Sequence, residues 1–519
     1  MSPTATAGLA APATVSARRL RWFKPTLADL LFLAVVLWLI AYTVTGDTTG
    51  LGMLKDSQTG YHIRIGEYVL ANHQVPHTDF LSFTKPGERF FAWEWLSGVG
   101  AALLYEWGGL RAIVLFSVLT IGLTIAIMLR HLVERGANVF VALFLMHLAI
   151  GASSIHYLAR PHIFTLLFFA YALWVLDRDS RERTWLIWTL VPLAAVWANL
   201  HGGFAGLPVT IGILAAGALA EWVWARDPKR LGDMLRYSLL AVLCFVASIA
   251  NPYGLENHRH IVKFMSETWY GHLTQEYQPP DFLSTPGAYF GVALAAGIVV
   301  ALRLLGRKKI GEALVILAWA YASSRSMRHI PLYMIVVLPA LASELAALWR
   351  AWVRGKPPKT LAGLLDRIAT DHQPSLARIG LFTPLVAVLL FVFPLGIDYP
   401  KDFPEAVYPT KLINRHAAEI GAARVFTSDG WGHYLTYRFP APYRIYIDGR
   451  TDFFGEAFTR EYLRAINGEA GWDATFRKYG VQMVLVPSDY RLAAEIKRDA
   501  SWRLVEDDGS AALFARKVL

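Results

Sequence analysis

Long apolar stretches separated by short polar segments dominate the chain up to residue 396. The first stretch, Leu27–Thr45, is long enough to cross a bilayer core of about 30 Å. Its apolar core exceeds that of a cleavable signal peptide, so it is predicted to be a retained helix. Further runs lie near 110–130, 138–152, 162–177, 185–199, 203–224, 237–250, 287–305, 311–323, 330–349 and 378–396. The pattern therefore predicts a polytopic α-helical membrane protein with about 11 transmembrane helices.

Lysine and arginine cluster in alternate loops between these runs. If the N-terminus is cytoplasmic, the basic groups within 130–135, 178–183, 226–236, 303–309 and 350–378 all fall on the inside. Positive residues favour that side of a membrane. The apolar segment Trp95–Trp107 would reverse the assignment if it crossed the bilayer, so it is predicted to be a helix lying in the outer interface.

Three regions follow from this topology. Residues 1–26 are predicted to be a cytoplasmic, disordered and basic N-terminus, because 1–17 are uncharged and Arg18, Arg19, Arg21 and Lys24 follow. Residues 27–396 form the transmembrane domain, with a long first outer loop at 46–109. Residues 397–519 are predicted to be a small extracytoplasmic α/β domain. Its predicted strands are Arg424–Thr427, Tyr443–Ile447, Val481–Pro487 and Ala511–Arg516, and its helices lie near 410–420, 456–467 and 488–499.

The composition agrees with a membrane protein. Hydrophobic residues make up 55% of the 519 positions and charged residues 17%, against about 25% charged in an average soluble domain. These values exclude a disordered chain, a coiled coil and an ordinary cytosolic enzyme. Membrane orientation accounts for the net charge of +10, so nucleic-acid binding is not needed to explain it. Cys244 is the sole cysteine, which excludes an intramolecular disulfide and a multi-cysteine metal site.

Polar residues gather at the predicted outer ends of many spans, where burying a charge is costly and usually functional. They are Asp56, His62, Asp79, Glu94, Arg160, His162, Asn199, His201, Glu276, Arg325, Arg328 and His329. The last three are expected on one helical face at i, i+3 and i+4. Arginine suits phosphate, and a carboxylate suits general-base work on a hydroxyl. This combination at a membrane boundary predicts a lipid-phosphate substrate, although helix capping or interfacial anchoring would also explain several of these residues singly.

Several short motifs resemble the GT-C superfamily of membrane glycosyltransferases, and in particular a group of bacterial GT-C-like membrane proteins of largely unassigned activity. The motifs are Asp56-x4-Tyr61-His62-Ile63-x-x-Gly66-Glu67, Val75-Pro76-x-Thr78-Asp79, Trp93-Glu94-Trp95-Leu96, Trp197-x-Asn199-x-His201-Gly202-Gly203, Asp429-Gly430-Trp431-Gly432 and Ile447-Asp448-Gly449-Arg450. The resemblance spans nearly the whole chain. It implies a polyprenyl-phosphate-sugar donor, inverting transfer and a location in the bacterial cytoplasmic (inner) membrane with the C-terminal domain in the periplasm.

The resemblance also implies residue roles. Asp56 occupies the position of the acidic first-loop residue that acts as catalytic base or orients the acceptor, although the second acidic residue often found beside it is Ser57 here. Arg325 and Arg328, with Arg160 and His162, would hold the lipid phosphate. His62, Glu94, Asn199 and His201 would shape the sugar pocket.

The remaining candidate roles are metal binding and selection of the acceptor. Asp56, Asp79, Glu94 and Glu276 could supply oxygen ligands to Mg²⁺ or Mn²⁺, although the sequence requires no cofactor. Trp431, Asp448 and Arg450 in the tail are candidates for acceptor selection; alternatively, the tail is a lid whose Asp-Gly pairs only make turns.

Two other classes of function stay open from the sequence. A non-catalytic GT-C-like subunit of a membrane complex would keep the scaffold without the chemistry, because fold does not imply function. A lipid or solute transporter would need ionisable residues deep within spans or matching broken helices in two halves. The sequence has few ionisable residues deep within its predicted spans, and it has no internal repeat.

Overall fold

The computed structural model describes residues 24–46, 52–267, 269–272, 275–378, 380, 382–393, 396–440 and 444–517. Most of the predicted N-terminus, including Arg18, Arg19 and Arg21, lies outside the described residues. The helices of the membrane region are α1 Leu27–Val44, α2 Gln58–Asn72, α3 Trp95–Glu134, α4 Val139–Ser153, α5 His162–Glu182, α6 Leu190–Leu200, α7 Gly206–Ala225, α8 Pro228–Ser248, α9 Leu255–Ser266, α10 Thr285–Gly306, α11 Ile310–Arg325, α12 Ile330–Val353, α13 Leu361–Leu376 and α14 Phe382–Val392.

Seven helical segments in the described part of the chain are long and apolar enough to span a membrane, which identifies a multi-pass membrane protein. They are Leu27–Val44, Trp95–Glu134, Val139–His156, Gly202–Ala225, Pro228–Ser248, Thr285–Gly306 and Met327–Val353. The other predicted spans correspond to His162–Glu182, Trp185–Leu200, Ile310–Arg325 and Phe382–Val392. The count of eleven therefore stays a prediction, while the polytopic helical fold is confirmed.

The segment Trp95–Trp107 is helical, but it is not a straight extension of the span that follows. Helix α3 breaks at Gly108 and Gly109, and Gly109 has φ of 62°. A positive φ is readily adopted by glycine because it lacks a Cβ. The break separates the segment predicted to lie at the interface from the predicted span that begins near residue 110, and the first segment packs against α2 of the outer loop.

The C-terminal segment is a small α/β unit, as predicted. Its helices are α15 Thr410–Arg415, α16 Ala417–Ala422, α17 Asp429–Arg438, α18 Thr451–Ile466, α19 Trp472–Tyr479 and α20 Arg491–Arg498. Its strands are β1 Val425–Thr427, β2 Met483–Pro487, β3 Trp502–Asp507 and β4 Ala511–Arg516, in the order β1-β2-β4-β3. Strand β1 is parallel to β2, and the other pairs are antiparallel.

The sequence missed α17, α19 and β3, and one of its four predicted strands, that near 443–447, is not a strand of the described sheet. Tyr443, at the start of that predicted strand, lies outside the described residues. Ile445 makes only isolated bridges, one with Ser82 of the first loop and one with Val425.

Strands β1, β2 and β4 are buried on both faces, which joins the C-terminal segment to the rest of the protein. Met483 and Leu485 belong to the hydrophobic core that extends through the membrane helices. Val484 and Phe514 belong to a second core with the aromatic side chains of α18 and α19. Side chains alternate between faces along a strand, so one face packs toward the membrane region and the other against local helices. The domain boundary at residue 397 stays a prediction.

Candidate functional site

An ion cluster built from three distant parts of the chain lies at one end of the helices. Arg160 Nη1 is 2.7 Å from Asp56 Oδ2, and the same guanidinium pairs with Glu276. Burial would raise the pKa of Glu276, but Arg160 and Arg328 outweigh that effect and hold it well below its ordinary value. Three of the predicted site residues therefore meet directly, with Arg160 between the two carboxylates.

The backbone on both sides of Asp56 is fixed by Tyr408, which the sequence did not single out. The Tyr408 hydroxyl accepts a hydrogen bond from the Ser57 backbone N–H at 2.7 Å and donates to the Lys55 carbonyl at 3.0 Å. Asp56 Oδ1 accepts from the backbone N–H of Gln58 at 2.8 Å. The C-terminal segment therefore helps to set the direction of the Asp56 carboxylate.

The loop that carries Arg160 is hydrogen-bonded to the Asp56 loop. The backbone N–H of Ala159 donates to the Met53 carbonyl at 2.9 Å, and the Thr59 hydroxyl donates to the Ala159 carbonyl at 2.7 Å. These two bonds lie on either side of Asp56 in the sequence. They hold the carboxylate and the guanidinium in one rigid unit.

Arg328 is the second arginine of the site. Its guanidinium hydrogen-bonds the Tyr277 hydroxyl and lies 4.7 Å from the centre of that ring. The neighbouring Ser326 hydroxyl donates to the Glu276 carbonyl at 2.9 Å. The segment that carries Glu276 is therefore attached to the segment that carries Arg328, and both arginines lie near the same carboxylates.

The predicted common face of Arg325, Arg328 and His329 does not form, because helix α11 ends at Arg325. Ser326 is extended, with φ of −152° and ψ of 124°, and a separate 3₁₀ turn carries the other two residues. Arg325 is exposed. His329 is half-buried, with its ring 6.1 Å from that of Trp319. The prediction of a shared face was wrong, since it assumed an uninterrupted helix.

Glu94 lies between two histidines. His62 Nε2 is 3.4 Å from Glu94 Oε2, and His201 Nε2 is 3.5 Å from Glu94 Oε1. Burial raises the pKa of Glu94 to about 7, although Arg160 and Arg328 lower it. Burial, together with Arg160, holds the pKa of His62 well below its ordinary value, and burial, together with Arg328 and Arg160, does the same for the pKa of His201, so the imidazoles are neutral at physiological pH.

The tautomer of His201 is set by its hydrogen bonds. The Trp197 indole N–H donates to the Thr165 hydroxyl at 2.8 Å, and that hydroxyl is 2.7 Å from His201 Nδ1. The Gly203 backbone N–H also donates to Nδ1, at 3.0 Å. Nδ1 is therefore an acceptor, and the single proton of the neutral ring is on Nε2, which faces Glu94.

His162 lies beside this group, with its ring centre 6.4 Å from that of His201. His162 Nε2 donates to the His156 carbonyl at 2.6 Å, because a carbonyl can only accept. In the described structure the side chain is thus bound to the backbone of the preceding turn.

Asn199 was predicted to help shape a sugar pocket, but its amide is engaged in packing. Its side-chain NH₂ donates to the carbonyls of Ala195 and Ala250, and Oδ1 accepts from the Trp95 indole, all at 2.8 Å. These bonds join the ends of α6 and α8 to the start of α3. Asn199 therefore fixes the start of α3, the helix that Glu94 directly precedes.

Asp79, Asp448 and Arg450 form a buried ion group between the first loop and the C-terminal segment. Arg450 Nη1 is 2.7 Å from Asp79 Oδ1, and Arg450 Nε is 2.8 Å from Asp448 Oδ1. All three side chains are almost fully buried. The structure therefore assigns them to the attachment of the two regions. Trp431 is engaged within the C-terminal segment itself, where its indole N–H donates to the Val407 carbonyl at 3.0 Å.

The four carboxylates proposed as metal ligands do not converge. Asp56 and Glu276 share Arg160, Glu94 faces two histidines, and Asp79 is paired with Arg450. Within the described part of the chain, no group of three or more His, Cys, Asp or Glu side chains is arranged to hold a metal ion.

Sequence reasoning missed three residues that organise the site, Thr165, Tyr277 and Tyr408, and it named Trp197 only as part of a motif. Thr165 lies three positions after His162, and this helical spacing was a usable signal. Tyr277 directly follows Glu276. Nothing local marked Tyr408, because it reaches the Asp56 loop from 351 positions away.

Among the comparisons with known proteins, only the comparison with solved structures finds a match. No protein-family model matches the chain, and no curated protein sequence matches it. The oligosaccharyltransferase AglB of Archaeoglobus fulgidus, solved with an inhibitory peptide and a dolichol-phosphate, is 13% identical over 94% of this chain and 74% of that chain, with a TM-score of 0.50. A crystal structure of the apo oligosaccharyltransferase from the same organism is 13% identical over 88% and 69%, with a TM-score of 0.51.

The apo structure of ArnT from Cupriavidus metallidurans is also similar. It is 16% identical over 94% of this chain and 97% of that chain, with a TM-score of 0.49. Identities this low establish a common fold and nothing finer. The oligosaccharyltransferase AglB, at TM-scores of 0.50 and 0.51, is a GT-C membrane glycosyltransferase. The resemblance predicted from the sequence motifs is confirmed at this level, and the chain has the fold of the GT-C superfamily.

Proposed function

We propose that the protein is a polyprenyl-phosphate-sugar-dependent glycosyltransferase at the outer face of the bacterial cytoplasmic membrane. The observation that carries the proposal is the meeting of Asp56, Arg160 and Glu276, with Arg328 nearby, at one end of a GT-C-fold helix bundle. Two guanidinium groups suit a phosphate ester, and a carboxylate suits an incoming hydroxyl. The archaeal AglB of this fold was solved with a dolichol-phosphate, which supports a lipid phosphate here.

In this proposal Arg160 and Arg328, beside His162, hold the phosphate and stabilise it as it leaves the sugar. Asp56 orients the acceptor hydroxyl or takes its proton. His62, Glu94 and His201 line the space for the sugar. A single displacement inverts the anomeric carbon. The acceptor is a protein, a lipid or a glycan.

The alternative of a non-catalytic subunit is favoured by one observation. Arg160 is already paired with two carboxylates, so a phosphate must displace one of them or add to the group. In a scaffold protein this ion cluster would serve packing alone. A measurement of lipid-phosphate binding therefore distinguishes a glycosyltransferase from a non-catalytic subunit.

Purified protein in lipid nanodiscs is expected to bind undecaprenyl phosphate, and Arg328→Gln is expected to weaken that binding at least about tenfold. The reason is the loss of a charge-assisted contact worth about 1.5–3 kcal/mol. Binding is measured by native mass spectrometry or by tryptophan fluorescence. Arg325→Gln is the matched comparison, because Arg325 is exposed and lies on the far side of the break. We expect less than a twofold change for it.

Equal binding by the wild type and Arg328→Gln would remove Arg328 from the phosphate site. No binding by the wild type would favour the subunit alternative. If undecaprenyl phosphate binds, a panel of its sugar-loaded forms is then tested for transfer, with membranes from cells lacking the protein as the source of acceptor.

The proposed orientation is tested with cysteine labelling. Cys244 is buried, so single cysteines placed on the surface can be labelled selectively. Helix α12 starts beside Arg328 and runs 24 residues away from it, about 36 Å. Asp489→Cys in the tail should react with a membrane-impermeant maleimide in intact spheroplasts, and Lys356→Cys beyond α12 should react only after permeabilisation. The reverse pattern would contradict the outer location.

A further inference from the structure

Asp56 and Glu94 differ in how their carboxylate oxygens are occupied. Asp56 Oδ2 is paired with Arg160 at 2.7 Å, and Oδ1 accepts a backbone hydrogen bond from Gln58 at 2.8 Å, so both oxygens already have partners. Glu94 is paired with no arginine in the described structure, and its side chain accepts no backbone hydrogen bond there. Among the described residues no hydrogen bond reaches its oxygens, and the nearest nitrogens are the imidazole Nε2 atoms at 3.4 and 3.5 Å. Glu94 is thus the carboxylate in the site whose oxygens are open to a new proton.

The two histidines beside Glu94 leave its carboxylate oxygens without a hydrogen bond. His201 presents its Nε2 proton to Oε1 because Thr165 and Gly203 occupy Nδ1. The His62 side chain is 97% buried, and its Nε2 is a buried nitrogen with no hydrogen-bond partner in the described structure. A neutral imidazole cannot neutralise the carboxylate as an ion pair would. The two rings instead flank it without a hydrogen bond, and 12% of the Glu94 side chain remains exposed.

We propose that Glu94 accepts the proton of the acceptor hydroxyl and that Asp56 is a positioning residue that holds Arg160. The inference rests on the proposed glycosyl transfer. In the step, the acceptor oxygen forms a bond to the anomeric carbon while its proton moves to a Glu94 oxygen. The bond between the anomeric carbon and the phosphate oxygen breaks, and the lipid phosphate leaves with the electron pair, held by Arg160 and Arg328.

The electrostatic surroundings agree with this role. A general base works best with a pKa near the operating pH, and burial raises the pKa of Glu94 to about 7. The charged groups that act on it are Arg160 and Arg328, which lower its pKa, and Asp452 and Glu276, which raise it. Because a base must be deprotonated, the rate of transfer should rise with pH through the neutral range.

The test compares transfer rates of the full chain in nanodiscs, with the undecaprenyl-phosphate sugar identified in the donor panel. Glu94→Gln is expected to lower the rate about 10²-fold and to remove the rise with pH, while undecaprenyl phosphate binds as in the wild type. Glu94→Asp keeps a carboxylate and should retain part of the rate together with the pH dependence. Asp56→Asn should lose rate but keep the rise with pH in what remains.

Glu88→Gln is the matched control, because Glu88 lies in the same loop with its side chain 56% exposed and pairs only with Lys85 among the described residues. It should behave as the wild type. If Glu94→Gln keeps the wild-type rate, or keeps its pH profile, Glu94 is not the proton acceptor. If instead the wild type transfers no sugar and binds no undecaprenyl phosphate, the proposed function itself fails, and the assignment of Glu94 fails with it.

Discussion

Replacing Asp56 with Asn is expected to lower glycosyl transfer about 10²-fold while the protein stays folded. The carboxylate holds Arg160 at 2.7 Å, and the acceptor and the leaving phosphate both depend on that geometry. The fold should tolerate the change because Glu276 still balances the charge of Arg160, and an Asn oxygen can still accept from Gln58 N–H. The measurement is the single-turnover rate, with thermal unfolding of the same sample as the check on folding.

Asp489→Asn provides the control for Asp56→Asn. Asp489 is an exposed carboxylate of the C-terminal segment, so its loss should leave both the rate and the unfolding temperature unchanged. Wild-type turnover by Asp56→Asn would take Asp56 out of the mechanism. A loss of rate that is accompanied by unfolding would show that Asp56 serves the fold.

Replacing Arg450 with Met is expected to destabilise the folded protein by about 3–5 kcal/mol. Arg450 is 6% exposed and is the partner of two buried carboxylates, Asp79 and Asp448. Removing it leaves two negative charges buried close together, and they either repel or take up protons. Burial raises the pKa of Asp448, and Arg450 is the main group that lowers it below its ordinary value. Thermal unfolding in detergent, followed by circular dichroism, measures the loss.

The sign of the pH effect follows from the same ion group. In the wild type the depressed pKa of Asp448 contributes stability above the pKa that this carboxyl has when unfolded, and that stability is lost on acidification. Arg450→Met should therefore lose most at neutral pH and least in acid. Arg460→Met is the control, since Arg460 is 63% exposed and pairs with Glu456 on its own helix. A surface pair of this kind is worth about 0–1 kcal/mol. Equal losses for the two variants would contradict the role of Arg450.

The sequence predicted the helical fold, and it also predicted that the site residues share the outer side of the bundle. Apolar runs and basic loops are local features, so they could be read without knowing how the helices pack. Asp56, Arg160 and Glu276 were each placed at the same side for this reason. Their mutual contact could not be predicted, since it joins residues 104 and 116 positions apart.

The predictions for Arg325, Arg328 and Asn199 failed for reasons that can also be traced to particular residues. The common face of Arg325 and Arg328 failed because Ser326 is extended, and nothing in the residue pattern marked that break. Asn199 has a polar side chain in a conspicuous motif, but its hydrogen bonds go to Trp95 and to two backbone carbonyls. Whether a polar side chain is free to bind a ligand depends on its neighbours in space, and those neighbours come from other helices.

The Asp79–Arg450 ion pair has a consequence for how the protein is made. Its two residues are 371 positions apart, so the first loop leaves the ribosome long before its partner exists. Until residue 450 has been synthesised and has reached the same side of the membrane, Asp79 must stay hydrated, and the loop that carries Asp56 lacks Tyr408 as well. Contacts this distant in sequence form late in folding. A newly made chain would therefore insert its helices first and complete the site only after residue 450 has been synthesised.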